Sequence, residues 1–569
     1  MFDYRKEYEK WMNSNFVDNH TQEELKAIKD DDEEIKARFS GMLSFGTAGL
    51  RGIMKAGLSC INKYTVQYAT QGFANLIIAS GGHIDGNSKE GNGVTIAFDS
   101  RNHSAEYAKY AASVLAANGI KVYLFNDLRP TPELSFALRQ TGSIAGINIT
   151  ASHNPKEYNG YKAYWADGAQ LSPEHAEIVS AEISKIDIFD DVMTVDFDDA
   201  VESGIIKIIG SEIDELYIEK VIEQSVGRKY IDAVQDKMDI VFTPFHGAGY
   251  KIVPEIFSRL GYKHIIPVEE QMIPDGNFST VKSPNPENAD GFALAIEYAK
   301  KYNAELIIGT DPDSDRCGAV VKDNDEYVVL TGNQMACLMM DYIFTVREEE
   351  GKMPERPFAC KSIVSTVMAD KICDMNNVKL FNVLTGFKFI GEKIKKYEKT
   401  GEYNFVFGFE ESIGFLAGTY ARDKDAVFAA MMMAEVGCYY MSKGMNVYQG
   451  LQELYKKYGY YIEDTKSKVF TGNDATSLMT KLMNKIRNNP PEKIGLKVEN
   501  TIDYLDNVPG FTKSNVLFYN LSDECAVAVR PSGTEPKVKT YVLAHGETKK
   551  IAEENCNLIR ESIDRILSE

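Results

Sequence analysis

The chain has 569 residues, of which 44% are hydrophobic and 11% aromatic, which is enough material for three to four folded domains. Its 63 Lys and Arg against 83 Asp and Glu give a net charge of -20, which disfavours binding to nucleic acid or to an anionic membrane. The charged N-terminal segment lacks the apolar run of a signal peptide, and no span of 18 apolar residues follows, so we expect a cytoplasmic protein.

The eight cysteines are scattered, and no two of them form a CxxC pair. In a chain of this length that pattern predicts reduced, mostly buried thiols and argues against a disulfide framework or a zinc site.

After some forty residues of amphipathic helix, a glycine-rich segment, FGTAGLRG, occupies positions 45–52. Backbone amides near Thr47 and the guanidinium of Arg51 could bind an anion there. Such segments are also often plain turns, and this one alone leaves both interpretations open.

A strand–helix–strand pattern occurs three times, which predicts three similar α/β units with mostly parallel sheets. The three copies occupy 94–125, 238–268 and 358–384. After a helix at 447–458, strands at 515–519, 525–529 and 538–543 precede a closing helix at 548–567, typical of a smaller α+β domain. The predicted domains are 1–205, 206–325, 326–455 and 456–569.

The segment INITASHNPKEYNGYKAY at 147–164 contains the first candidate for chemistry. An apolar strand at 144–149 leads to Ser152 and His153, and Pro155 prevents the strand from continuing into a helix. Asn159-Gly160 predicts a second sharp turn that folds Lys162 back toward the serine. A serine and a lysine so placed suit a nucleophile and a base, although Ser, Asn and Pro are also ordinary turn residues.

Three carboxylates, Asp311, Asp313 and Asp315, alternate directly after the apolar strand at 306–308. Their spacing suits one hard divalent cation, and three carboxylates leave octahedral Mg²⁺ with room for a phosphate oxygen that Arg316 would help to neutralise. An EF-hand is excluded, because Arg316 stands where glycine belongs and Lys322 where glutamate belongs. A solvated acidic turn is the alternative.

The segment FGFEESIG at 407–414 places Glu410 and Ser412 between an apolar strand and a glycine turn, which suits binding of sugar hydroxyls. It lacks the glycine at 410 that a hydrolase nucleophile elbow requires around Ser412. A capped helix start is the alternative for this stretch.

A phosphate cradle is predicted after the strand at 525–529. Arg530, two hydroxyls on Ser532 and Thr534, and the backbone at Gly533 supply anion-binding groups, with Lys537 close in sequence. No Walker A sequence occurs, so this is not a nucleotide-triphosphate loop.

Two smaller candidates are His246 in TPFHGAG and Lys388 in TGFK. Each could equally be a satisfied turn residue.

In their order, these segments resemble the α-D-phosphohexomutase family, in its phosphoglucomutase- and phosphopentomutase-like branch. The segments that carry the resemblance are TASHNP at 150–155, DPDSDR at 311–316, EES at 410–412 and RPSGT at 530–534. The resemblance implies four domains, three of them similar α/β units with mixed, mostly parallel sheets. The fourth is expected to be an α+β domain like the TATA-box-binding protein.

The resemblance also implies residue roles. Ser152 would be the phosphoserine beside His153, with Lys162 as proton acceptor. Asp311, Asp313, Asp315 and a phosphoserine oxygen would hold one Mg²⁺, and Arg51 and Arg316 would support the phosphoserine. Glu410 and Ser412 would bind the sugar, and the loop from Arg530 would bind phosphate. His246, Lys388 and Arg422, whose loops vary within the family, would contact the substrate.

The activity implied is the interconversion of glucose 1-phosphate and glucose 6-phosphate through glucose 1,6-bisphosphate, which serves as intermediate and activator. The sugar loop, EESIG, lies between the glucose-type and mannose-type patterns of the family and favours glucose. Mutases of pentose or mannose phosphates, a synthase that makes the bisphosphate and a catalytically silent sugar-phosphate sensor are the alternatives. Monomer and dimer both stay open.

Overall fold

The protein is described by a computed structural model that covers residues 3–46, 49–82, 93–472, 474–532 and 536–568. Four β-sheets follow one another along this part of the chain. The first three are mixed and the fourth is antiparallel, as the α-D-phosphohexomutase resemblance implies.

Three short helices precede the first sheet. Each begins at an aspartate whose carboxylate accepts a hydrogen bond from a backbone amide three residues later, which satisfies a donor that the helix itself leaves free. The helices are α1 (Tyr4–Asn13), α2 (Asn19–Ala27) and α3 (Asp32–Phe39). They pack through a small aromatic core around the fully buried Trp11.

The first sheet has the order β1-β5-β4-β2-β3-β6, with three parallel pairs at β4-β2-β3-β6 and antiparallel β5 and β1 at one edge. Its strands are β1 (Leu50–Ile53), β2 (Gly93–Phe98), β3 (Lys121–Phe125), β4 (Ala145–Ile149), β5 (Tyr158–Trp165) and β6 (Ile206–Ile209). The helices around it are α4 (Lys63–Ala79), α5 (Ser104–Ala117), α6 (Thr131–Gln140), α7 (Pro173–Ile183) and α8 (Phe197–Glu202).

One local prediction is wrong in this unit: Asn159-Gly160 does not form a turn. Both residues lie inside β5, which pairs on one side with β1 and on the other with β4. The reversal of the chain takes place between residues 152 and 157. Asn159 and Gly160 pair with β1 in extended backbone, and two residues later Lys162 pairs with Asn148 of β4, which brings Lys162 to the serine side.

The second sheet has the order β11-β10-β9-β7-β8, and its parallel pairs are β7-β8 and β7-β9. Its strands are β7 (Ile240–Thr243), β8 (Ile265–Pro267), β9 (Leu306–Thr310), β10 (Cys317–Asp323) and β11 (Glu326–Val329). Its helices are α9 (Ser211–Ile222), α10 (Arg228–Val234), α11 (Gly249–Arg259) and α12 (Ala293–Tyr302).

The third sheet has the order β13-β12-β14-β15, in which β12 runs parallel to both β13 and β14. Its strands are β12 (Pro357–Ser362), β13 (Lys379–Val383), β14 (Asn404–Glu410) and β15 (Gly414–Leu416). Its helices are α13 (Gly332–Glu349), α14 (Met368–Met375), α15 (Phe387–Thr400), α16 (Ala426–Ser442) and α17 (Val447–Tyr458). All residues from Ala426 to Tyr440 are buried, so α16 is a central helix and joins this unit to the second.

The fourth sheet is antiparallel throughout, in the order β16-β21-β20-β19-β18-β17. The strands are β16 (Tyr460–Val469), β17 (Lys493–Ile494), β18 (Leu496–Asp503), β19 (Leu517–Leu521), β20 (Ala526–Pro531) and β21 (Lys537–Gly546). Helices α18 (Ala475–Asn488) and α19 (Lys549–Ser568) pack against it. The predicted last three strands and closing helix are confirmed, whereas β16 to β18 and α18 were not predicted.

This arrangement brings functional loops to strand ends. The serine, metal and sugar loops follow β4, β9 and β14, each bonded to a parallel neighbour in its own sheet, which is where ligand-binding loops of α/β sheets lie. All eight cysteines are buried and free, as predicted. Within the described ranges, no helix combines the length and apolar character needed to cross a membrane.

Candidate active site

Ser152 is held in a conformation that points its hydroxyl at the metal loop. The residue has φ of 54° and is only 3% exposed. Its amide donates to Thr150 Oγ1 at 2.8 Å, and its own hydroxyl donates to Asp311 Oδ2 at 2.8 Å. His153 Nδ1 lies 3.2 Å from the same hydroxyl. The first and second units thus meet at the serine oxygen.

The three aspartates of the metal loop form a buried cluster. Asp311, Asp313 and Asp315 each offer an oxygen within 4.8 Å of the other two. Asp311 Oδ1 accepts the backbone amides of Asp315 and Arg316 at 3.1 and 3.0 Å. The Oδ1 atoms of Asp313 and Asp315 are buried and have no hydrogen-bond partner among the residues that the structure describes. A solvated turn is excluded, since all three side chains are buried, and unbonded carboxylate oxygens in a buried cluster fit a divalent cation.

The pKa values of Asp311 and Asp315 are shifted in opposite directions. Burial, then the charges of Asp313 and Asp315, raise the pKa of Asp311 well above its usual range. Burial alone would also raise the pKa of Asp315, but Lys162, Lys424 and Arg316 hold it well below that range. The site therefore concentrates negative charge that bound cations must offset.

Two lysines contact the aspartates. Lys162 Nζ lies 2.6 Å from Asp313 Oδ2 and 2.8 Å from Asp315 Oδ2. Lys424, on the loop before α16, lies 2.9 Å from Asp315 Oδ2. Burial lowers the pKa of Lys162, yet the neighbouring aspartates raise it further, so its ammonium group is a cation here.

The remaining predicted catalytic residues surround the serine loop. Arg51, on β1, donates from Nη1 to Asn154 Oδ1 at 3.1 Å. The Arg316 guanidinium lies 3.8 Å from Asp315 Oδ1. Burial, with Arg316 and Arg51 nearby, lowers the pKa of His153 well below its ordinary value, which leaves a neutral imidazole beside Ser152.

The sugar loop forms the tight connection between β14 and β15. Glu410 is buried, and its Oε1 accepts the amide of Gly386 at 2.6 Å. Burial, then the charge of Glu411, raise the pKa of Glu410 to about 7. Ser412 lies in the same turn, and Glu411 accepts a hydrogen bond from Ser362 at 2.8 Å. Of the two glutamates, Glu410 is therefore the buried hydrogen-bond acceptor.

Lys388 begins α15 close to Gly386. Its ammonium group lies 5.0 Å from the centre of the Phe389 ring, and burial lowers its pKa.

The phosphate loop joins β20 to β21. Arg530 lies opposite Lys539 in the β20-β21 pair, and the Ser532 amide donates to the Lys537 carbonyl at 2.8 Å. Burial, followed by the like charges of Lys537 and Arg530, lowers the pKa of Lys539, while Glu411 raises it. These cations therefore collect near the sugar loop. Thr47, Gly533 and Thr534 lie outside the described residues.

Two residues that are predicted to contact the substrate form hydrogen bonds or ion pairs with other groups of the protein. His246 uses both ring nitrogens inside its own unit, with Ile273 O at 2.7 Å and Thr280 Oγ1 at 2.9 Å. Arg422 pairs with Glu398 and donates to the Thr419 carbonyl. Either side chain must exchange these bonds before it can bind a ligand, and their substrate roles stay predictions.

Sequence reasoning missed three residues that hold the site together. Lys424 is one of them. The amide of Thr131, at the start of α6, donates to the Asp313 carbonyl at 2.8 Å, and its hydroxyl donates to Asp313 Oδ2 at 2.7 Å. Arg101 lies under the serine loop. Thr131 carried a weak signal, as a threonine next to proline at a helix start, and the other two carried none.

Comparisons with known proteins agree with this geometry. The phosphoglucomutase/phosphomannomutase alpha/beta/alpha domains I, II and III match residues 42–188, 215–324 and 331–458. Phosphoglucomutase of Staphylococcus aureus strain USA300 is 37% identical over 528 residues, which is 90% of this chain and 91% of the relative. The protein of strain N315 is 36% identical over 525 residues, with the same shares.

Solved structures show the same fold. Parafusin, a phosphoglucomutase from Paramecium in an open form, has a TM-score of 0.69 at 18% identity over 92% of this chain and 94% of its own. A phosphoglucomutase/phosphomannomutase family protein from Burkholderia thailandensis has a TM-score of 0.66 at 17% identity over 92% and 97%. The resemblance, the fold and the isomerase class predicted from the sequence are confirmed, and the chain belongs to the phosphoglucomutase/phosphomannomutase family of α-D-phosphohexomutases.

Proposed function

We propose that this enzyme is a phosphoglucomutase that interconverts glucose 1-phosphate and glucose 6-phosphate. The observation that carries the proposal is the hydrogen bond of 2.8 Å from Ser152 Oγ to Asp311 inside a buried cluster of three aspartates. A phosphorylatable hydroxyl at a metal loop is what phosphoryl transfer requires, and a pure binding protein needs neither. The relatives that share more than a third of the sequence are phosphoglucomutases.

The residues present fit one Mg²⁺ per site. Asp311, Asp313, Asp315 and the Ser152 oxygen are all hard oxygen ligands, and two carboxylate oxygens of the cluster lack hydrogen bonds. When bound, the metal would stabilise the negative charge that develops on a phosphoryl group in transfer.

The reaction we propose uses Ser152 as a phosphoryl carrier. Phosphorylated Ser152 gives its phosphoryl group to the free hydroxyl of the sugar monophosphate, and the hydroxyl proton passes to a base. Lys162 is the predicted acceptor, and it can take this proton only in its neutral form, after the ammonium that Asp313 and Asp315 stabilise has released its own proton. The product, glucose 1,6-bisphosphate, then returns its other phosphoryl group to Ser152, and the freed sugar oxygen regains the proton. The net result is a sugar phosphate with the phosphate at the other carbon.

Substrate binding follows from the two remaining loops. Glu410 and Ser412 would accept and donate hydrogen bonds to sugar hydroxyls, while Arg530, Ser532 and Lys537 would hold the phosphate that does not react. Thr47, Gly533 and Thr534 are predicted to complete that contact. Charge-based contacts tolerate either orientation of the sugar, and the bisphosphate must change its orientation between the two half-reactions.

A cytoplasmic location also stays a prediction.

Activity measurements test the proposal. We expect turnover of glucose 1-phosphate with Mg²⁺ and a trace of glucose 1,6-bisphosphate, together with one added phosphate in the intact mass. Ser152→Ala should lose both signals and keep its melting temperature. Comparing kcat/KM on glucose 1-phosphate, ribose 1-phosphate and mannose 1-phosphate decides the sugar. A preference for ribose or mannose phosphate, or full activity in Ser152→Ala, would refute the proposal.

A further inference from the structure

Arg101 lies directly beneath the serine loop, on the segment that follows β2. Its side chain is fully buried. Nη2 donates to the carbonyl oxygens of Ser152 and Asn154, both at 2.5 Å, and Nη1 donates to those of Pro155 and Tyr158, at 2.9 and 3.1 Å. A single guanidinium thus binds four carbonyl groups across the turn that carries the nucleophile.

Asp99 connects this guanidinium to the other side of Ser152. Its Oδ2 lies 3.3 Å from Arg101 Nε and accepts the Thr150 hydroxyl at 2.6 Å. Its Oδ1 accepts the hydroxyl of Ser104 at 2.8 Å and the amide of Arg101 at 3.0 Å. Thr150 Oγ1 in turn accepts the amide of Ser152 at 2.8 Å. Both main-chain polar groups of the nucleophile are therefore fixed, directly or through Thr150, by Asp99 and Arg101.

These bonds hold Ser152 in an uncommon backbone conformation. With φ of 54° the residue lies in the left-handed region, which a non-glycine residue keeps only where its surroundings impose it. Rotation of either peptide next to Ser152 would move Oγ away from Asp311, which it contacts at 2.8 Å.

The unit that carries the metal loop also covers Arg101. The ring of Phe278 lies 5.0 Å from the Arg101 guanidinium. A Cβ at Gly276 would lie 2.4 Å from the Asn102 amide nitrogen, so the two segments are in close contact. Arg101 therefore lies at the interface between the first unit, which carries the serine loop, and the second unit, which carries the metal loop.

We propose that Arg101 is a positioning residue for the phosphoryl transfer, and that it acts by fixing the backbone of Ser152 against the metal loop. The proposal rests on the proposed function. Among the described residues, the polar partners of the Arg101 side chain are main-chain carbonyls and Asp99, so its loss should slow the chemical step and leave substrate binding unchanged.

The main variant is Arg101→Lys, which keeps the charge but cannot span four carbonyls. We expect kcat to fall about 10²-fold, the effect of a misplacement of roughly 1 Å, while KM for glucose 1-phosphate stays within about twofold. In Arg101→Ala, added guanidinium ion at millimolar concentration should restore part of kcat, and ethylammonium should not. A change in KM with an unchanged kcat would overturn the proposal.

A second variant tests the same network without changing Arg101, in case the arginine variants fold poorly. Thr150→Val has nearly the same shape but leaves the Ser152 amide without its acceptor, and we expect kcat to fall about 10-fold. Thr150→Ser should restore the rate. Thr95→Val is the matched control, since Thr95 is a buried threonine of the same sheet bonded to Thr141 and Ser143, outside this network. A normal kcat in Thr150→Val, or an equal loss in Thr95→Val, would refute the inference.

Amide hydrogen exchange separates this inference from the proposed function. In Arg101→Lys, exchange in the peptide 150–158 should be faster than in the wild type, with the remaining peptides unchanged. Unchanged exchange there, or faster exchange with a normal kcat, would overturn the positioning role. A wild-type protein without mutase activity on any of the three sugar phosphates would refute the proposed function and leave the exchange result interpretable.

Discussion

The two sides of the active site are built in opposite ways. On the serine and metal side, charged groups already have partners: Lys162 contacts Asp313 and Asp315, and Ser152 contacts Asp311. On the phosphate side, Lys539 has like charges as neighbours, which lower its pKa further than burial does alone. The first side is assembled before any ligand arrives, whereas on the second side Lys537, Arg530 and Lys539 lie close enough for their like charges to act on one another, which a bound anion would stabilise.

This difference matches the two tasks that a phosphomutase must combine. Groups that are fixed in place act on the transition state without reorganisation, so changes there should appear mainly in kcat. Groups that hold the unreacting phosphate bind substrate and transition state alike, so changes there should appear mainly in KM. Separate measurement of kcat and KM in variants of each side therefore tests whether the two sides differ in this way.

The largest effect is expected for Asp313→Asn. The variant removes one negative charge from the buried cluster, and we expect kcat to fall on the order of 10³-fold or more, since the proposed metal would supply most of the charge stabilisation in the transition state. Rates measured against Mg²⁺ concentration check this. Asp325→Asn, in an exposed turn of the same unit, is the control. A near-normal rate in Asp313→Asn would mean that the cluster holds no catalytic metal.

Arg530→Met tests the phosphate side. Loss of one charge-assisted contact of about 1.5–3 kcal/mol should raise KM for glucose 1-phosphate about 10- to 100-fold and change kcat much less. Initial rates over a wide substrate range measure both values. Lys493→Met, at an exposed position of the edge strand β17 in the same sheet, removes a charge without this effect. If kcat falls instead of KM rising, the two sides do not differ in the way that we infer.

Sequence patterns predicted the parts of this enzyme that depend on local chemistry. The strand–helix–strand copy predicted at 94–125 is observed as β2, α5 and β3, because apolar runs and the glycine at 119 define these elements. The aspartates that the sequence grouped into a metal loop do form a cluster.

What the sequence could not predict depends on contacts between distant segments. Asn159-Gly160 is typical of a turn, but pairing with β1 overrides that local preference. Lys424 and Arg101 belong to no recognisable motif, because their partners are an aspartate of another unit and carbonyl groups of a folded turn. Strand β16 was missed since its partner, β21, lies about seventy residues further along the chain.

A smaller effect is expected for Glu410→Gln, on the border between the two sides. Glu410 has a pKa of about 7, so in the wild type its carboxylate forms between pH 6 and pH 8 and becomes the better acceptor for sugar hydroxyls. The ratio of kcat/KM for wild type over variant should therefore rise with pH to about 10 at pH 8. Ionisation of the substrate phosphate cancels in this ratio. A ratio that does not vary with pH would exclude ionised Glu410 as the sugar contact.

The smallest effect concerns stability on the preassembled side. Glu133 lies in α6, two residues after Thr131, and is fully buried. Its carboxyl oxygens lie beside Asp214, and Arg129 Nε is 3.8 Å away. Burial, then Asp214, raise the pKa of Glu133 well above its ordinary value of 4.5. Above pH 4.5 the unfolded chain loses this proton while the folded chain keeps it, so the folded state loses stability as the pH rises toward the folded pKa.

Glu133→Gln should remove that dependence, because the amide has nearly the shape of the protonated acid and does not titrate. The melting temperature of the variant relative to wild type should increase from pH 5 to pH 8, by an amount equivalent to about 1–3 kcal/mol. Glu177→Gln, on the exposed face of α7, should show no such trend. Because Glu133 touches no part of the reaction, kcat should stay unchanged. A pH-independent difference would place a charged Glu133 in the folded protein, and the preassembled side would then contain an anion balanced by Arg129.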